Sequence, residues 1–422
     1  MKEKLAIIGT GISGLGSAYF LQKEYDLTIF EKASYIGGHT NTVDVEEDGI
    51  QIPIDTGFIV FNHVTYPNLL RLFNTLGVPT KKSDMSFSVQ YAPTNLEFCG
   101  SGLGGLFAQK KNLFSLKYIR MLLQINRFNE DAPKILENPK YDDWDLGRYM
   151  KTEGYGEDIL NYYLVPMSSA VWSTPPDLML SFPAKTLIRF FYNHGFLGLS
   201  TQHQWWTVDG GSREYVKRIA KNFKDKIRLN SSVKEVIREK ELVRVVLEDG
   251  TSEVFNKVIL ATHGPTSVKL LSNPEPLERE LLPLFKYQKN IATLHTDTSD
   301  MPKKRSIWSS WNYKIVSDEK GNKQPYTIYW MNQLQKVSKK KDYFVTINDP
   351  GRIKKSHIIR EIEYEHPLFS VESAKGQNEL PKLNEKGPIY FAGAYFRYGF
   401  HEDGFLSAVN VAKAILKRDP WT

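Results

Sequence analysis

The chain has 422 residues, more than one hydrophobic core of ordinary size holds, so two domains are expected. Its single cysteine, Cys99, excludes intramolecular disulfides, cysteine-rich metal sites and iron–sulfur clusters. The net charge of +7 permits anionic partners, but no zinc-finger or RNA-binding motif accompanies it, so we expect neither nucleic acid nor a metal.

The N-terminal stretch has the order strand, helix, strand. An apolar run at residues 5–8 is typical of a buried strand, and residues 15–23 have helical character. Residues 27–30 form a second β-rich run. This order is the beginning of a nucleotide-binding βαβ unit.

A G-x-G-x-x-G turn joins the first strand to the helix. Gly9 permits the tight turn, Gly11 lets a pyrophosphate approach the backbone, and Gly14 lets the helix pack on the sheet. Ile12 and Ser13 stand at the start of the helix, where free N–H groups and the positive end of the dipole favour phosphate. The turn therefore predicts a dinucleotide site.

The residues after the second strand indicate which dinucleotide the site binds. Glu31 stands twenty residues after Gly11, where a carboxylate binds a ribose hydroxyl and repels the 2′-phosphate of NADP. The pair Gly37-Gly38 favours FAD over NAD, because many FAD proteins have glycines where the chain passes the cofactor. We predict FAD, with three further contacts nearby: Lys32, His39 and Thr40.

Residues 43–61 alternate in the manner of two strands, with a turn at residues 47–49. A glycine soon after an acidic residue is expected where backbone passes close to a flavin. We therefore predict that Thr56, Gly57 and Phe58 contact the cofactor. The alternative is an ordinary strand and turn.

Periodicity and turn residues predict the other elements. In chain order they are a helix over 66–76, a hairpin over 87–98, a flexible joint over 100–105, a mostly helical region over 141–199, a helix over 213–223, β-rich segments over 227–246, a buried strand over 257–262, strand-like runs at 291–296, 306–313, 326–331 and 343–347, a last strand at 389–393 and a helix over 405–417. The four strand-like runs suggest a second, largely antiparallel sheet.

The segment 106–128 is apolar with interleaved basic residues. It could be an amphipathic helix that lies on an anionic membrane. The alternative is a domain helix whose basic side chains face water. The residues concerned are Lys110, Lys111, Lys117, Arg120 and Arg127.

The region 141–199 is rich in aromatic rings, which suit the wall of an apolar pocket, although an ordinary core would look similar. The rings are Trp172, Phe182, Phe190, Phe191, Tyr192 and Phe196.

From end to end the sequence resembles the flavin-containing amine oxidase and phytoene desaturase superfamily. This resemblance implies an α/β fold, with a Rossmann-like FAD-binding domain over 1–80, 205–265 and 385–422. A substrate domain of mixed sheet and helices over 81–204 and 266–384 would be inserted in it. The signs are the glycine-rich turn, Glu31, Gly37-Gly38, Gly210-Gly211, Val233, Ala261-Thr262 and Phe391-Ala392-Gly393.

Within the superfamily the chain is similar to a bacterial subgroup of predicted FAD/NAD-binding, amine-oxidase-like proteins associated with cyclopropane-fatty-acid synthases. It also resembles the flavin-dependent desaturases of furan-fatty-acid biosynthesis. The resemblance implies a lipid acyl chain as substrate. Its marks lie at residues 37–42, 55–62, 294–297, 311–313 and 398–404.

The sequence departs from the superfamily at three positions. His39 replaces an arginine that often meets the pyrophosphate. Ala394 follows Gly393 where an acidic residue often holds the ribityl chain, so Glu402 or Asp403 would take that task, beside Gly404 and Phe405. The lysine that reaches the flavin in amine oxidases falls near Asn290, beside Lys289, which argues against oxidation of a free amine.

The C-terminal motif supplies the catalytic candidates. His401 is the predicted base, with an ordinary pKa near ~6.5, and Glu402 and Tyr398 flank it. The alternative is a structural histidine that caps the last helix.

We expect an FAD-dependent oxidoreductase that desaturates a fatty-acyl or phospholipid chain by hydride transfer to flavin N5. The alternatives are an amine oxidase that uses O₂ and a non-catalytic flavoprotein partner of a lipid methyltransferase. We expect a cytoplasmic location, with peripheral contact to the inner face of an anionic membrane as a further hypothesis.

Overall fold

The computed structural model describes residues 2–100, 102–198 and 201–422. Its strands, in chain order, are β1 (Lys4–Ile8), β2 (Asp26–Phe30), β3 (Thr42–Glu47), β4 (Ile50–Asp55), β5 (Phe61–Asn62), β6 (Thr80–Ser83), β7 (Phe87–Tyr91), β8 (Leu96–Cys99), β9 (Trp205–Val208), β10 (Ile227–Arg228), β11 (Val233–Glu239), β12 (Leu242–Leu247), β13 (Ser252–Phe255), β14 (Lys257–Leu260), β15 (Tyr287–His295), β16 (Trp311–Ser317), β17 (Lys323–Trp330), β18 (Phe344–Ile347), β19 (Ile358–Pro367) and β20 (Ile389–Phe391).

The α-helices connect and cover these strands. In chain order they are α1 (Ile12–Leu21), α2 (Pro67–Leu76), α3 (Gly102–Leu106), α4 (Leu116–Asp131), α5 (Leu146–Thr152), α6 (Glu157–Ile159), α7 (Val165–Trp172), α8 (Pro176–Met179), α9 (Ala184–Asn193), α10 (Arg213–Ile219), α11 (Gly264–Leu270), α12 (Pro276–Leu281), α13 (Met331–Leu334), α14 (Val371–Gln377) and α15 (His401–Leu416).

A five-stranded parallel sheet has the order β10-β2-β1-β14-β20. Its central strands are continuous apolar runs, as expected for strands that are covered on both faces. The strands come from the beginning, the middle and the end of the chain. The predicted Rossmann-like α/β unit is thus confirmed, and the carboxyl ends of β1, β14 and β20 share one edge.

A second sheet has seven strands in the order β19-β15-β18-β17-β16-β7-β8. Its pairs are antiparallel except for β16 with β7, which are parallel. The predicted largely antiparallel sheet is therefore confirmed. The sequence analysis missed β19, which pairs with β15 along its whole length.

Four predicted elements differ from the structure. The joint predicted over 100–105 contains α3, with Ser101 outside the described residues. The helix predicted over 106–128 is broken, because a 3₁₀ turn at Lys110–Phe114 precedes α4. The strand predicted over 306–313 begins only at Trp311. The last helix begins at His401 rather than at Phe405, because Asp403 caps its first turn.

The helices between β8 and β9 share their core with the parallel sheet. One cluster of buried side chains runs from Leu5 and Leu15 through Phe61 to Phe182 and Phe191. In the described part of the chain, no helix is long and apolar enough to cross a membrane. The same residues contain no group of three or more His, Cys, Asp or Glu side chains placed to hold a metal ion.

A buried carboxylate joins three separate segments. Asp55, at the end of β4, accepts hydrogen bonds from Thr42 Oγ1 (2.5 Å), the Ser212 amide (2.8 Å) and Gln335 Nε2 (2.6 Å). Its own amide donates to Gln335 Oε1 (2.9 Å). Asp55 is fully buried, and this burial raises the pKa of its carboxyl to about 6. The hydrogen bonds act in the opposite direction and lower the pKa, but burial has the larger effect. The cluster links the β3–β4 hairpin, the start of α10 and the segment after α13.

We predict that Asp55→Ala lowers the free energy of unfolding by about 2–4 kcal/mol, because it leaves several buried donors without an acceptor. Urea unfolding measures the change. Asp44→Ala in the same hairpin is the matched control, because its ion pair with Arg213 is partly exposed and should contribute less than about 1 kcal/mol. Equal losses in the two variants would contradict the assignment.

Candidate functional site

The glycine-rich turn leads into α1 at the carboxyl edge of the parallel sheet. Gly9 has φ +103°, and a Cβ on Gly14 would overlap the Gly9 carbonyl oxygen. A Cβ on Gly11 would meet no atom within 4 Å, so there is room in front of the helix N-terminus. No side chain caps α1, and its first turn contains no acidic residue. These features are those of an anion-binding helix N-terminus.

Glu31 lies beside this turn. Its Oε2 accepts from the Thr10 amide (2.9 Å) and from Thr10 Oγ1 (2.6 Å), and its Oε1 accepts from the Ala33 amide (2.8 Å). The Ser231 amide donates to the Glu31 carbonyl (2.8 Å), which brings the segment before β11 to the same place. The Val233 side chain itself is buried in an apolar cluster under the sheet, and Lys32 is exposed.

The glycine pair lies against the turn. The Gly37 amide donates to the Thr10 carbonyl (3.1 Å), and a Cβ on Gly38 would lie 3.1 Å from Gly11 Cα. Ala261 follows β14 and its amide donates to the Ile8 carbonyl (2.9 Å). The structure therefore brings together the predicted residues that are scattered between Gly9 and Ala261. Thr262 is the next residue, and its hydroxyl lies 2.8 Å from Ser267 Oγ.

The start of α15 packs on the start of α1. Ser13 Oγ donates to the Gly404 carbonyl (2.9 Å), and the Gly393 amide donates to Ser407 Oγ (2.9 Å). Phe405 is fully buried beside α1, and Ala394 follows Gly393 after β20. The C-terminal motif is thus part of the same site as the N-terminal turn.

His401 stands in the first turn of α15. Its ring stacks on Phe58 with centroids 3.8 Å apart, and its Nε2 lies 2.7 Å from Tyr215 Oη and 3.0 Å from Thr40 Oγ1. Thr40 and Tyr215 also share a hydrogen bond. Burial, with the charge of His39, lowers the pKa of His401 from 6.5 to about 3. The pKa of this histidine is therefore well below the ordinary value assumed from the sequence, chiefly because of its burial.

Gly57 and Phe58 lie against His39, the residue after the glycine pair. The Phe58 amide donates to the His39 carbonyl (2.9 Å), and Thr56 Oγ1 lies 2.7 Å from Tyr364 Oη. The segment that follows the β3–β4 hairpin therefore forms a wall of the site.

The two acidic residues of α15 bind helix N-termini. Glu402 accepts from the amides of Asn68 (3.1 Å) and Leu69 (2.9 Å) at the start of α2, and from Asn68 Nδ2 (2.6 Å). Asp403 accepts from the Phe400 amide (2.9 Å) and caps α15. Burial raises the pKa of Glu402, and raises that of Asp403 to about 7. These contacts give no support to a catalytic or ribityl-binding role, because the carboxylates already satisfy backbone N–H groups.

Aromatic rings surround the segment before α15. Phe190 stacks on Phe400 (4.8 Å) and lies edge-on to Tyr398 (6.3 Å). Trp172 packs on Phe190 (4.7 Å), and its Nε1 donates to the Tyr398 carbonyl (3.2 Å). Tyr398, a predicted catalytic residue, thus contacts an apolar wall through its ring and its backbone.

A cluster that the sequence analysis missed lies between β15, β19 and His39. Asn290 Nδ2 is 2.7 Å from His366 Nδ1, and the His366 ring is 5.5 Å from the ring of His39, which stacks on Tyr364. Burial lowers the pKa of His39 to about 4 and that of His366 to about 3. Only the alternation of residues 358–367 could have indicated β19 in the sequence.

Asn290 and Lys289 face opposite ways. Asn290 is buried in this cluster, whereas Lys289 is exposed and pairs with Glu363 on the next strand (2.9 Å). The alternation of a strand explains the difference, because successive side chains point to opposite faces. The inner position of β15 is therefore an amide and not a lysine.

These residues fit FAD. The open, uncapped N-terminus of α1 suits the pyrophosphate, and Glu31 retains lone pairs for a ribose hydroxyl. Three groups lie between that turn and the second sheet. They are Thr40, the aromatic rings that surround Phe400, and the Asn290–His366 pair. The groups that would hold the cofactor thus come from both sheets.

We predict that the protein loses stability as the pH falls from about 6.5 to about 4. The histidines at 39, 366 and 401 bind protons in the unfolded chain near pH 6.5 but only near pH 3–4 when folded, so acid favours unfolding. His401→Gln should reduce the slope of unfolding free energy against pH by about one proton. Urea unfolding between pH 5 and 7 measures it. An unchanged slope in His401→Gln would contradict the prediction.

Comparison with known proteins agrees with this geometry. Residues 12–300 match the family profile described as flavin containing amine oxidoreductase. Coproporphyrinogen III oxidase of Staphylococcus aureus is 24% identical over 289 residues, which are 62% of this chain and 61% of that protein. The match therefore spans less than two thirds of the relative.

Solved structures share the fold. Putrescine oxidase bound to putrescine superposes with a TM-score of 0.68 at 15% identity, over 99% of this chain and 100% of that one. The fatty acid isomerase of P. acnes that produces CLA superposes with a TM-score of 0.67 at 13% identity, over 96% and 97% of the two chains. The family profile, which covers more than half of the sequence, shows that the chain belongs to the flavin-containing amine oxidoreductases and is an FAD-dependent oxidoreductase.

Proposed function

We propose that this oxidoreductase desaturates a fatty-acyl or phospholipid chain. The observation that carries the proposal is the aromatic wall beside the N-terminus of α15, in which Trp172 and Phe190 are buried and Tyr398 and Phe400 are half-buried. Such a wall suits a long apolar substrate and excludes water. The P. acnes isomerase demonstrates that this fold accommodates a fatty acid.

The reaction removes two hydrogens from neighbouring carbons and leaves a double bond. When bound, FAD supplies an acceptor for a hydride. The chain's own residues orient the acyl chain against the aromatic wall and keep water away. The second hydrogen leaves as a proton to a base or to water.

His401 serves better as a positioning residue than as this base. A group with a pKa of about 3 accepts a proton poorly at neutral pH. Its Nε2 instead orients the hydroxyls of Thr40 and Tyr215 at the start of the site. His39 and His366, whose pKa values burial lowers to about 4 and about 3, are poor bases for the same reason.

Oxidation of a porphyrinogen is the second candidate. It is favoured by the sequence match to coproporphyrinogen III oxidase. That reaction is also a dehydrogenation, so the same cofactor and dry site would serve it. Oxidation of a simple amine has less support, because the inner position of β15 is Asn290 and Lys289 faces solvent. A non-catalytic flavoprotein partner of a lipid methyltransferase is the remaining alternative.

We predict that the yellow protein is bleached under anaerobic conditions by methyl-branched or unsaturated acyl lipid, and that mass analysis finds acyl chains that have lost two hydrogens. Absorbance of the flavin measures the reduction. Putrescine and coproporphyrinogen III are tested in parallel. Bleaching by either of these but not by lipid would reject the proposal, and so would no bleaching by any lipid.

A matched pair of variants tests the aromatic wall. Phe400→Ala removes a ring of the wall and should slow bleaching by lipid by about tenfold or more, because the chain is held less precisely. Phe114→Ala is the control, because Phe114 is exposed and far from Phe400 in the sequence. The flavin of this variant should be bleached by lipid in detergent solution at the same rate as that of the original protein. Flavin absorbance before reaction checks that both variants hold FAD.

A further inference from the structure

Five large apolar side chains are exposed around the start of α4. The exposed fractions are 88% for Phe114, 85% for Leu116, 74% for Leu103, 66% for Leu123 and 50% for Leu113. Scattered exposed leucines are normal, but a concentration within twenty-one residues indicates a binding surface. We call residues 103–127 the α4 surface.

Local structure makes these side chains protrude. Ser115 caps α4 by accepting from the Tyr118 amide, and the chain turns sharply there from the 3₁₀ turn into the helix. Tyr118, Met121 and Phe128 face the protein, so the stripe at 116, 120, 123 and 127 faces outward. Phe114 and Leu116 flank the turn, at the tip of this surface.

Within the α4 surface, helix α3 is attached to helix α4. Tyr118 Oη donates to the Leu106 carbonyl (2.7 Å), and the rings of Phe107 and Tyr118 are 5.9 Å apart. The C-terminal end of α3 therefore rests on the N-terminal end of α4. Leu103, which is also exposed, lies one turn earlier in α3.

Every charged residue within the α4 surface itself is basic. Residues 98–129 contain five basic residues and no Asp or Glu. Lys117 and Arg127 have acidic neighbours, at 3.2 Å from Asp158 and 3.4 Å from Asp131. Among the described residues no ion pair involves Lys110 or Arg120. Leucine and arginine alternate along the outward stripe of α4, so its apolar and basic side chains would contact the same flat surface.

We propose that the α4 surface docks on an anionic lipid bilayer. Phe114 and Leu116 enter the region between headgroups and acyl chains, and the basic side chains meet lipid phosphates. Protruding single side chains with lysines between them suit a bilayer better than a protein, because protein interfaces are depleted in lysine and need complementary pockets. This proposal does not depend on which molecule the enzyme oxidises.

Vesicle sedimentation of the FAD-loaded full chain tests it. The vesicles are phosphatidylcholine alone or an equimolar mixture with phosphatidylglycerol. We expect binding to the anionic vesicles that is at least about tenfold tighter than to the neutral ones and that weakens with salt. No sedimentation with anionic vesicles, or equal binding to both kinds, would overturn the proposal.

Variants separate the two contributions. Phe114→Ser with Leu116→Ser, and separately Lys110→Gln with Arg120→Gln, should each weaken binding to anionic vesicles by about tenfold or more. Ile50→Ser with Val64→Ser is the matched control, because these side chains are also exposed, at 67% and 60%, but lie outside the α4 surface. Flavin absorbance and urea unfolding check that all variants are folded. Unchanged binding in the first two pairs, or an equal loss in the control, would contradict the proposal.

Discussion

The hydrogen bond from Ser13 Oγ to the Gly404 carbonyl joins the two ends of the chain. It holds α1 and α15 side by side over β1, β14 and β20, so that their N-termini open on the same edge of the parallel sheet. The dinucleotide turn alone would make half a site. The other half, from Tyr398 to Gly404, reaches it only because the last strand returns to the sheet that the first strand began.

Polar groups inside the site are arranged so that little charge is buried. His39, His366 and His401 have lowered pKa values, and each has a hydrogen-bond partner among neighbouring polar groups. Glu402 and Asp403 accept hydrogen bonds from helix N–H groups, which favour the carboxylate, whereas burial raises the pKa of both carboxyls. A dry interior of this kind suits transfer of a hydride from a carbon atom, because it excludes water from the reacting atoms.

Uncharged and charged groups occupy different parts of the molecule. Neutral histidines and aromatic rings line the site, whereas unpaired basic groups stand with Phe114 and Leu116 on the α4 surface. The same separation accounts for an apparent contradiction in residues 106–128, which are both apolar and basic. Some of the apolar side chains, such as Met121 and Phe128, are buried, and others, such as Phe114 and Leu116, face outward.

The sequence by itself determined the first βαβ unit and its glycine-rich turn, because their spacing is local, and it determined the cofactor and the family because several such motifs follow one another in a recognisable order along the chain. It did not reveal β19, whose alternation is weak and whose strand exists only because β15 offers a partner along its full length. It also assigned His401 and Glu402 to catalysis, and Glu402 or Asp403 to the ribityl chain of the cofactor. Only the tertiary structure decided that the carboxylates cap α2 and α15 and that the histidine has lost its hydration, because burial and partners from distant segments set both properties.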